Sequence, residues 1–329
     1  MSKVIFFNDM NKFENALKNF NIDSFRGKSV PVKLHMGALH NRYYTHPDIA
    51  KKVVEILKTY GVDPFMFDTT VAYPGLRGTK IGHRKLSNIH GFTKKNVGCK
   101  VVIDGENGTP VKIKGRTYIV AEHIHDYENI FAISHVKGHI GAGFGGAIKN
   151  FGMGGVTKKT KTKMHRGSKP VHQKDNCTYC GICEKLCPYN MIKVTDNKWK
   201  FNNVFCFGCG VCVENCNSGG IVYRDVELQF SLACAAKACV QNKNVIYLND
   251  VNRISQKCDC DPKAGPIICP DIGFLLSDDP VAVDKASLDL VNEIKPNVFK
   301  KYNKIDPEKQ IKYGEEIGLG SASYKLLKI

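Results

Sequence analysis

Two copies of one cysteine motif, between Cys177 and Cys216, constrain this chain more than any other feature. Each copy has the spacing C-x2-C-x2-C-x3-C, the first starting at Cys177 and the second at Cys206. At this spacing, three thiolates of a motif ligate one [4Fe–4S] cluster and the fourth ligates the other cluster. The sequence therefore predicts one cluster on Cys177, Cys180, Cys183 and Cys216, and a second on Cys206, Cys209, Cys212 and Cys187.

A pair of zinc knuckles is the alternative for these eight cysteines. A structural zinc site takes four ligands and does not need a doubled spacing of this kind. We therefore favour two clusters. Of the remaining cysteines, three are candidates for a third metal site and three are expected to be buried, as free cysteines commonly are. The candidates are Cys258, Cys260 and Cys269, and the others are Cys99, Cys234 and Cys239.

The chain is strongly basic, with a formal net charge of +17 over 329 residues. Eight thiolates and two oxidised cluster cores leave about +13. Such an excess attracts nucleic acid, an anionic small molecule or an acidic protein. The densest basic run, residues 158–166, lacks interleaved aromatic residues and any nucleic-acid motif. We therefore favour an anionic small molecule or a redox partner, such as an acidic ferredoxin or an oxidoreductase. The alternative for most lysines is a solvated basic face.

The first residues lack the long apolar segment of a signal peptide, and no window of the sequence reaches the length of a membrane span. Together with cysteines assigned to clusters, this predicts a cytoplasmic protein of a reducing, anaerobic cell, with no membrane partner. A homodimer is compatible with the sequence.

Strands alternate with helices on both sides of the cysteine motifs. Apolar spacing predicts strands at 4–7, 29–36, 65–68, 101–104, 130–135 and 245–248, and helices at 12–20, 47–60, 80–90 and 280–294. We therefore predict an α/β fold. A discontinuous α/β domain, 1–167 plus 226–329, holds an inserted 2[4Fe–4S] ferredoxin-like α+β domain, 168–225. Three consecutive domains are the alternative, but the tail after residue 225 has few strands for a core of its own.

A second stretch, residues 134–155, combines eight glycines with basic and imidazole side chains. Glycines let backbone amides approach a ligand closely or form an anion nest, and ligands of α/β sheets bind where strands end. We predict His135, His139 and Lys149 as catalytic groups. The predicted cofactor contacts are Lys137, Gly138, Gly143, Gly145, Gly146, Asn150 and His35. The alternative is an irregular structural loop packed on the sheet.

Nearly the whole chain resembles the DUF362 family of iron–sulfur proteins. The matching segments include KLHMG at 33–37, SHVKGH at 134–139, GFGGAIKNFGMG at 143–154 and the cysteine repeat. The resemblance implies an iron–sulfur protein and adds Lys33 to the expected cofactor contacts. The family supplies no reaction.

The glycine-rich stretch is also similar to the P-H-x-x-A-G-F-S-G-G-x-K run of the nickel-pincer lactate racemase family. His139 and Lys149 keep its ten-residue interval, and His83-Arg84 resembles its G-x-H-R segment. The resemblance implies that His83 and His139 contact the ligand and that Lys149 lies where that family tethers its nucleotide. Because Gly138 replaces a proline of the family, we carry over the fold and the pocket position and not racemisation.

These features together predict an iron–sulfur oxidoreductase. Its two [4Fe–4S] clusters would exchange electrons with an anionic redox cofactor or substrate, of the flavin or deazaflavin F420 type, at the glycine-rich site. One alternative is a non-enzymatic electron carrier, which does not need the concentration of histidine, lysine and glycine. The other is an isomerase or lyase for a small hydroxy acid, which leaves the clusters without a role.

Overall fold

The computed structural model describes residues 1–329, and an eight-stranded sheet is its centre. The strands in chain order are β1 Ser2–Phe7, β2 Ser29–Lys33, β3 Asp63–Thr69, β4 Val101–Asp104, β5 Gly108–Ile113, β6 Arg116–Ala121, β7 Asn129–His135, β8 Lys137–His139, β9 Gly143–Gly145, β10 Pro170–His172, β11 Ile192–Thr195, β12 Lys198–Phe201, β13 Ile221–Tyr223, β14 Asn244–Val251, β15 Gly273–Ser277 and β16 Tyr324–Lys328.

Thirteen α-helices connect or cover these strands. They are α1 Phe13–Leu17, α2 Pro47–Thr59, α3 Lys80–Ile89, α4 Lys94–Val97, α5 Glu122–His125, α6 Ala147–Gly152, α7 Lys158–Gly167, α8 Ile182–Lys185, α9 Val211–Glu214, α10 Leu228–Val240, α11 Pro280–Ile294, α12 Val298–Asn303 and α13 Glu308–Glu316.

The central sheet has the strand order β16-β1-β15-β14-β7-β2-β3-β4. The run from β14 to β4 is parallel throughout, whereas β15 pairs antiparallel with both β1 and β14. The sheet therefore takes strands from both sides of the cysteine motifs in the sequence. The predicted α/β fold class is confirmed.

Alternating side chains let both faces of the sheet be buried. In β7, Ile130 and Ala132 belong to one apolar core, and Phe131 and Ile133 belong to the other. Helices α6, α10 and α11 pack on the first face, and α1 and α2 pack on the second. Since both faces are covered, ligands can reach the sheet only at its edges or at the strand ends.

The strand order reverses between β2 and β7. Strands β3 and β4 follow β2 in one direction, whereas β7 and β14 lie on the opposite side of β2. Ligands of open α/β sheets bind outside the carboxyl ends of the strands at such a switch point. Here those ends carry Lys33 on β2 and His135 on β7.

The predicted strand 29–36 ends early, at Lys33. Leu34 still donates to the carbonyl of Phe67, but the amide of Met36 donates to Asp68 Oδ2 at 3.3 Å. A side chain at the end of β3 has replaced the strand partner. The glycine-rich stretch also differs from an irregular loop, because β8 and β9 form a hairpin that leads into α6.

The cysteine-rich residues contribute no strand to the central sheet. They form two small antiparallel sheets, β10–β13 and β11–β12, around a core of Ile192, Cys212 and Ile221. This module is anchored to the larger part by two ion pairs, Arg116–Asp225 at 2.6 Å and Lys309–Glu214 at 2.6 Å.

None of the helices is both long enough and apolar enough to span a membrane.

Candidate functional site

The two strand ends at the switch point are joined by Asn150 of α6. Its Nδ2 donates to the carbonyl of Ile133 and to Ser134 Oγ, both at 3.0 Å, at the end of β7. Its Oδ1 accepts from Lys33 Nζ at 3.0 Å, at the end of β2. One amide side chain therefore holds the ends of β2 and β7 together.

Asp68, at the end of β3, is the first buried carboxylate of the site. Lys33 Nζ lies 3.1 Å from its Oδ1, and His83 Nε2 and Arg77 NH2 lie 3.3 and 3.6 Å from its Oδ2. Burial opposes ionisation, but Lys33, His83 and Arg77 together hold the pKa of Asp68 well below its usual range. Asp68 is therefore an anion that balances the cations around it.

Asp259, in the loop after β14, is the second buried carboxylate. His135 Nδ1 lies 2.9 Å from its Oδ1, and Lys137 Nζ lies 3.0 Å from its Oδ2. His35 Nδ1 is farther away, at 3.8 Å. The other ring nitrogen of His135 lies 2.8 Å from the carbonyl oxygen of Asn252. Because both of its nitrogens have partners, His135 positions Asp259 and has no free nitrogen for a ligand.

Cys258 and Cys260 flank Asp259 and lie beside the glycine-rich stretch. Lys149 Nζ is 3.3 Å from Cys258 Sγ. The ligand atoms of His139, Cys258 and Cys260 all lie within 4.8 Å of one another. A hydrogen bond from Cys260 and the charge of Lys149 hold the pKa of Cys258 well below its ordinary value. The sequence placed His139 and Lys149 in the site, and the structure adds a pair of sulfur atoms beside them.

A fourth buried lysine, Lys161 of α7, enters the site after Lys33, Lys137 and Lys149. Its Nζ contacts Thr69 Oγ1 at 2.6 Å and the carbonyl of Thr70 at 2.5 Å. Burial lowers the pKa of Lys161 to about 7. His165, one turn later, packs on the ring of Phe207 at 4.4 Å, and burial lowers its pKa to about 4. Lys161 can therefore hold or release a proton near neutral pH.

Two neighbouring cavities open among these residues and share five lining residues. The inner cleft lies over the strand ends and is lined by Lys33, His35, Asp68, Lys137, Lys149, Asn150 and Lys161, among others. The outer cavity, of about 570 Å³, has apolar walls that include Leu39, Pro74, Ile140, Pro188 and Tyr189. Both are lined by Tyr73, Arg77, His139, Phe207 and Cys260. An apolar chamber thus leads to a charged floor, as in many small-molecule sites.

Each predicted set of four cluster cysteines surrounds one space. Cys177, Cys180, Cys183 and Cys216 line a cavity of about 400 Å³. The second set lines a tighter space together with Pro188, Tyr189 and Phe207, and its members are Cys187, Cys206, Cys209 and Cys212. Cys180 is exposed, whereas Cys212 is buried. The fourth cysteine of each motif therefore lies with three cysteines of the other motif.

The predicted glycines are packed against protein. A Cβ atom on Gly138 would lie 2.0 Å from the carbonyl oxygen of Gln256, and one on Gly146 would lie 2.2 Å from Asp284 Oδ1. These positions accept no side chain, because a backbone carbonyl at Gly138 and a carboxylate at Gly146 fill the space that a Cβ atom would need. The same close approach, to Pro307 and to the Lys149 side chain, is found at Gly143 and Gly145.

Several residues of the site were not predicted from the sequence. Arg77, Asp259 and Lys161 come from three separate loops or helices, and no local pattern marks them. His83, which was predicted, lies behind Asp68 and is completely buried. The closest signal in the sequence for Asp259 was its place between Cys258 and Cys260.

Comparison with known proteins gives a family match and several partial relatives. A family described as "Domain of unknown function (DUF362)" matches residues 30–289. Pyruvate synthase subunit PorD of Methanothermobacter marburgensis is 39% identical over 62 residues, which are 19% of this chain and 73% of the relative. An uncharacterized ferredoxin of Methanocaldococcus jannaschii is 30% identical over 115 residues, 31% of this chain and 68% of the relative.

Two solved structures resemble the chain at low sequence identity. The lactate racemase apoprotein of Thermoanaerobacterium thermosaccharolyticum has a TM-score of 0.47 and 13% identity, over 89% of this chain and 58% of that protein. A structural-genomics protein of Thermotoga maritima has a TM-score of 0.48 and 10% identity, over 87% of this chain and 59% of that protein. The chain thus spans less than two thirds of either structure.

Proposed function

We infer that this chain, which belongs to the DUF362 family, is an iron–sulfur oxidoreductase. Electrons pass between two [4Fe–4S] clusters and an anionic organic redox cofactor or substrate, of the flavin or deazaflavin F420 type, bound in the cleft at the switch point. One observation carries the proposal. Pro188, Tyr189 and Phe207 line the space inside one set of cluster cysteines and also line the outer cavity.

The cysteines fit the assignment to clusters. Four sulfur-bearing side chains surround each of two spaces, and each motif contributes one cysteine to the space of the other. Thiolates are the ligands of such clusters, which supply one-electron transfer when bound. We propose the same division into domains, with residues 168–225 as the cluster module and 1–167 plus 226–329 as the α/β ligand-binding domain.

The cleft suits an anion. Five lysine and arginine side chains line it, Lys33, Arg77, Lys137, Lys149 and Lys161. They face only two carboxylates, Asp68 and the Asp259 that pairs with Lys137, so positive charge is in excess. The Gly141 amide donates to His139 Nδ1 at 3.1 Å, which leaves Nε2 to carry the ring proton. His139 is thus the donor we assign to the ligand, with Lys149 as its charge partner. His135 acts by positioning Asp259.

We propose that a redox partner protein exchanges electrons with the cluster that lies farther from the cleft. Cys180 is exposed, so the cluster that it would ligate lies near the surface, whereas the second site faces the outer cavity. A net positive chain favours an acidic partner. The PorD relative is named as a subunit of pyruvate synthase, which is consistent with such a partner.

Purification under nitrogen tests the proposal. The protein should carry about eight irons, and mass and absorbance scans should show a flavin, a deazaflavin or an organic acid, either bound or perturbing the cluster spectrum when added. If none of these ligands binds or changes the spectrum, the non-enzymatic electron carrier replaces the oxidoreductase.

A further inference from the structure

Cys258 and Cys260 lie outside the cluster motifs and line the outer cavity. Cys258 is 3% exposed, and Cys260 also lines the inner cleft. The two sulfurs therefore lie where the two cavities meet. Neither the cluster assignment nor the proposed ligand contacts use them.

The surroundings of Cys258 favour an anionic sulfur. Lys149 Nζ lies 3.3 Å from Cys258 Sγ, and the backbone amide of Cys260 donates to the same sulfur at 3.4 Å. His139 is the third neighbour, within 4.8 Å. Reactive cysteines lie in such electropositive surroundings, whereas inert ones are enclosed by apolar groups.

The residue between the two cysteines holds the loop in place. Asp259 forms an ion pair with Lys137 at 3.0 Å and a hydrogen bond with His135 at 2.9 Å, and its carbonyl accepts from the amide of Ala38 at 2.8 Å. The Asp261 amide also donates to the Cys258 carbonyl at 2.9 Å and closes a turn. The sulfurs are thus kept together by the fold.

A metal ion is the other ligand that two cysteines and a histidine suggest. The tautomer of His139 opposes it, because Nδ1 accepts the Gly141 amide at 3.1 Å and a neutral ring then has its proton on Nε2. No lone pair is left for a metal. The ammonium group of Lys149 beside Cys258 also repels a cation.

We propose that Cys258 and Cys260 form a redox-active dithiol that reduces a small anionic disulfide in the outer cavity. Cys258 attacks one sulfur of the substrate, whose S–S bond breaks and releases one thiolate. Cys260 then gives up its proton to the thiolate already released, attacks the mixed disulfide, releases the second thiolate and forms a Cys258–Cys260 disulfide. Two electrons, one from each of two reduced iron–sulfur donors, and one proton restore the Cys258 thiolate and the Cys260 thiol. The supply of electrons rests on the function proposed above.

The cavity supports the class of substrate. Its volume of about 570 Å³ accommodates a small organic molecule, and its walls are mostly apolar. Arg77, Lys257 and Asp261 also line it, and Lys257 pairs with Asp261 at 3.5 Å. Arg77, together with Lys149 beside Cys258, therefore favours negatively charged groups on that molecule. Two one-electron donors match the two electrons that one disulfide takes up.

Redox buffers and peptide masses test the pair directly. The protein with its clusters is equilibrated under nitrogen with graded ratios of reduced to oxidised glutathione, an anionic thiol and disulfide. It is then quenched with acid, labelled with N-ethylmaleimide and digested. Trypsin cuts after Lys257 and Lys263 and releases residues 258–263, which contain no cluster cysteine. We expect two labels in reducing buffer, and in oxidising buffer no label and the loss of two hydrogen atoms.

Two labels at every ratio would overturn the proposal. So would one equivalent of bound zinc that disappears in Cys258→Ser. When the folded, reduced protein is labelled at pH 7 without a quench, Lys149→Met should slow labelling of Cys258 at least about tenfold, because the thiolate loses its cation. Lys159→Met, at an exposed position of α7, is the control, and its Cys258 should be labelled as fast as that of the wild type.

Iron bound to the protein is measured in aliquots taken before the acid quench. If about eight irons are bound but the Cys258–Cys260 disulfide does not form, the dithiol proposal is wrong and the proposed function is unaffected. If the disulfide forms but no iron is bound, the proposed function is wrong and the redox activity of Cys258 and Cys260 is still supported.

Discussion

Lys149 and Cys258, which are 109 positions apart, are in contact, with Nζ 3.3 Å from Sγ. The contact joins the glycine-rich stretch to the loop after β14. Burial pulls the pKa of Lys149 down, but Cys258 and Cys260 raise it overall. The lysine therefore remains a cation at the floor of the cleft.

The exchange of cysteines between motifs is testable by paired substitution. We propose that each motif gives its fourth cysteine to the other site, so Cys187→Ser with Cys206→Ser should damage one site and leave about four of eight irons. Cys187→Ser with Cys177→Ser should damage both sites and leave almost none. Iron analysis after anaerobic reconstitution measures this. The reverse pattern would show that each motif keeps its own four cysteines. As a control, Cys99→Ser, which changes a cysteine outside the motifs, should retain all the iron.

Asp68 should be essential for stability. Asp68→Asn leaves Lys33, whose side chain is 1% exposed, without its counter-charge at 3.1 Å. Breaking a buried pair from one side costs about 3–5 kcal/mol. The free energy of unfolding, from anaerobic urea denaturation, should fall by this amount.

The control for that substitution is a surface pair of the same length. Arg26 and Asp23 are 3.0 Å apart with side chains 68% and 76% exposed. Asp23→Asn should cost less than about 1 kcal/mol, because water screens the pair. Equal costs for Asp68→Asn and Asp23→Asn would contradict the buried network.

Lys161 should make stability depend on pH. Its pKa falls from 10.5 to about 7 on folding, since burial disfavours the charge. Between those values the unfolded chain binds more protons, so the stability of the wild type should rise with pH relative to Lys161→Met. The slope approaches about 1.4 kcal/mol per pH unit and vanishes below pH 7. Denaturation of both proteins from pH 6 to 9 measures it, and parallel curves would argue against a buried neutral lysine.

The elements with strong local signals could be predicted from sequence. The predicted helix 280–294 matches α11, because Asp279 caps it and Pro280 starts it. The predicted helix 47–60 likewise matches α2, with Pro47 at its start. The predicted strand 29–36 was too long, because the amide of Met36 donates a hydrogen bond to the side chain of Asp68 and not to a neighbouring strand.

The site was predictable only where its residues are close in sequence. His139 and Lys149 share one stretch and lie together in the structure. Arg77, Asp259 and Lys161 are brought in by tertiary contacts to Asp68, Lys137 and Thr69, and apolar periodicity does not encode such contacts. The role of the glycines was also hidden, because their packing partners, such as Gln256, are far away in the sequence.

The central claim is that the clusters exchange electrons with an anionic ligand held at Lys149. The most direct measurement mixes dithionite-reduced protein with FMN or coenzyme F420 under nitrogen and follows cluster absorbance. The wild type should be oxidised at low ligand concentration, and Lys149→Met should need at least about tenfold more ligand, because a charged hydrogen bond is lost. Lys159→Met should behave like the wild type. Equal oxidation of the wild type and Lys149→Met, at equal iron content, would contradict the claim.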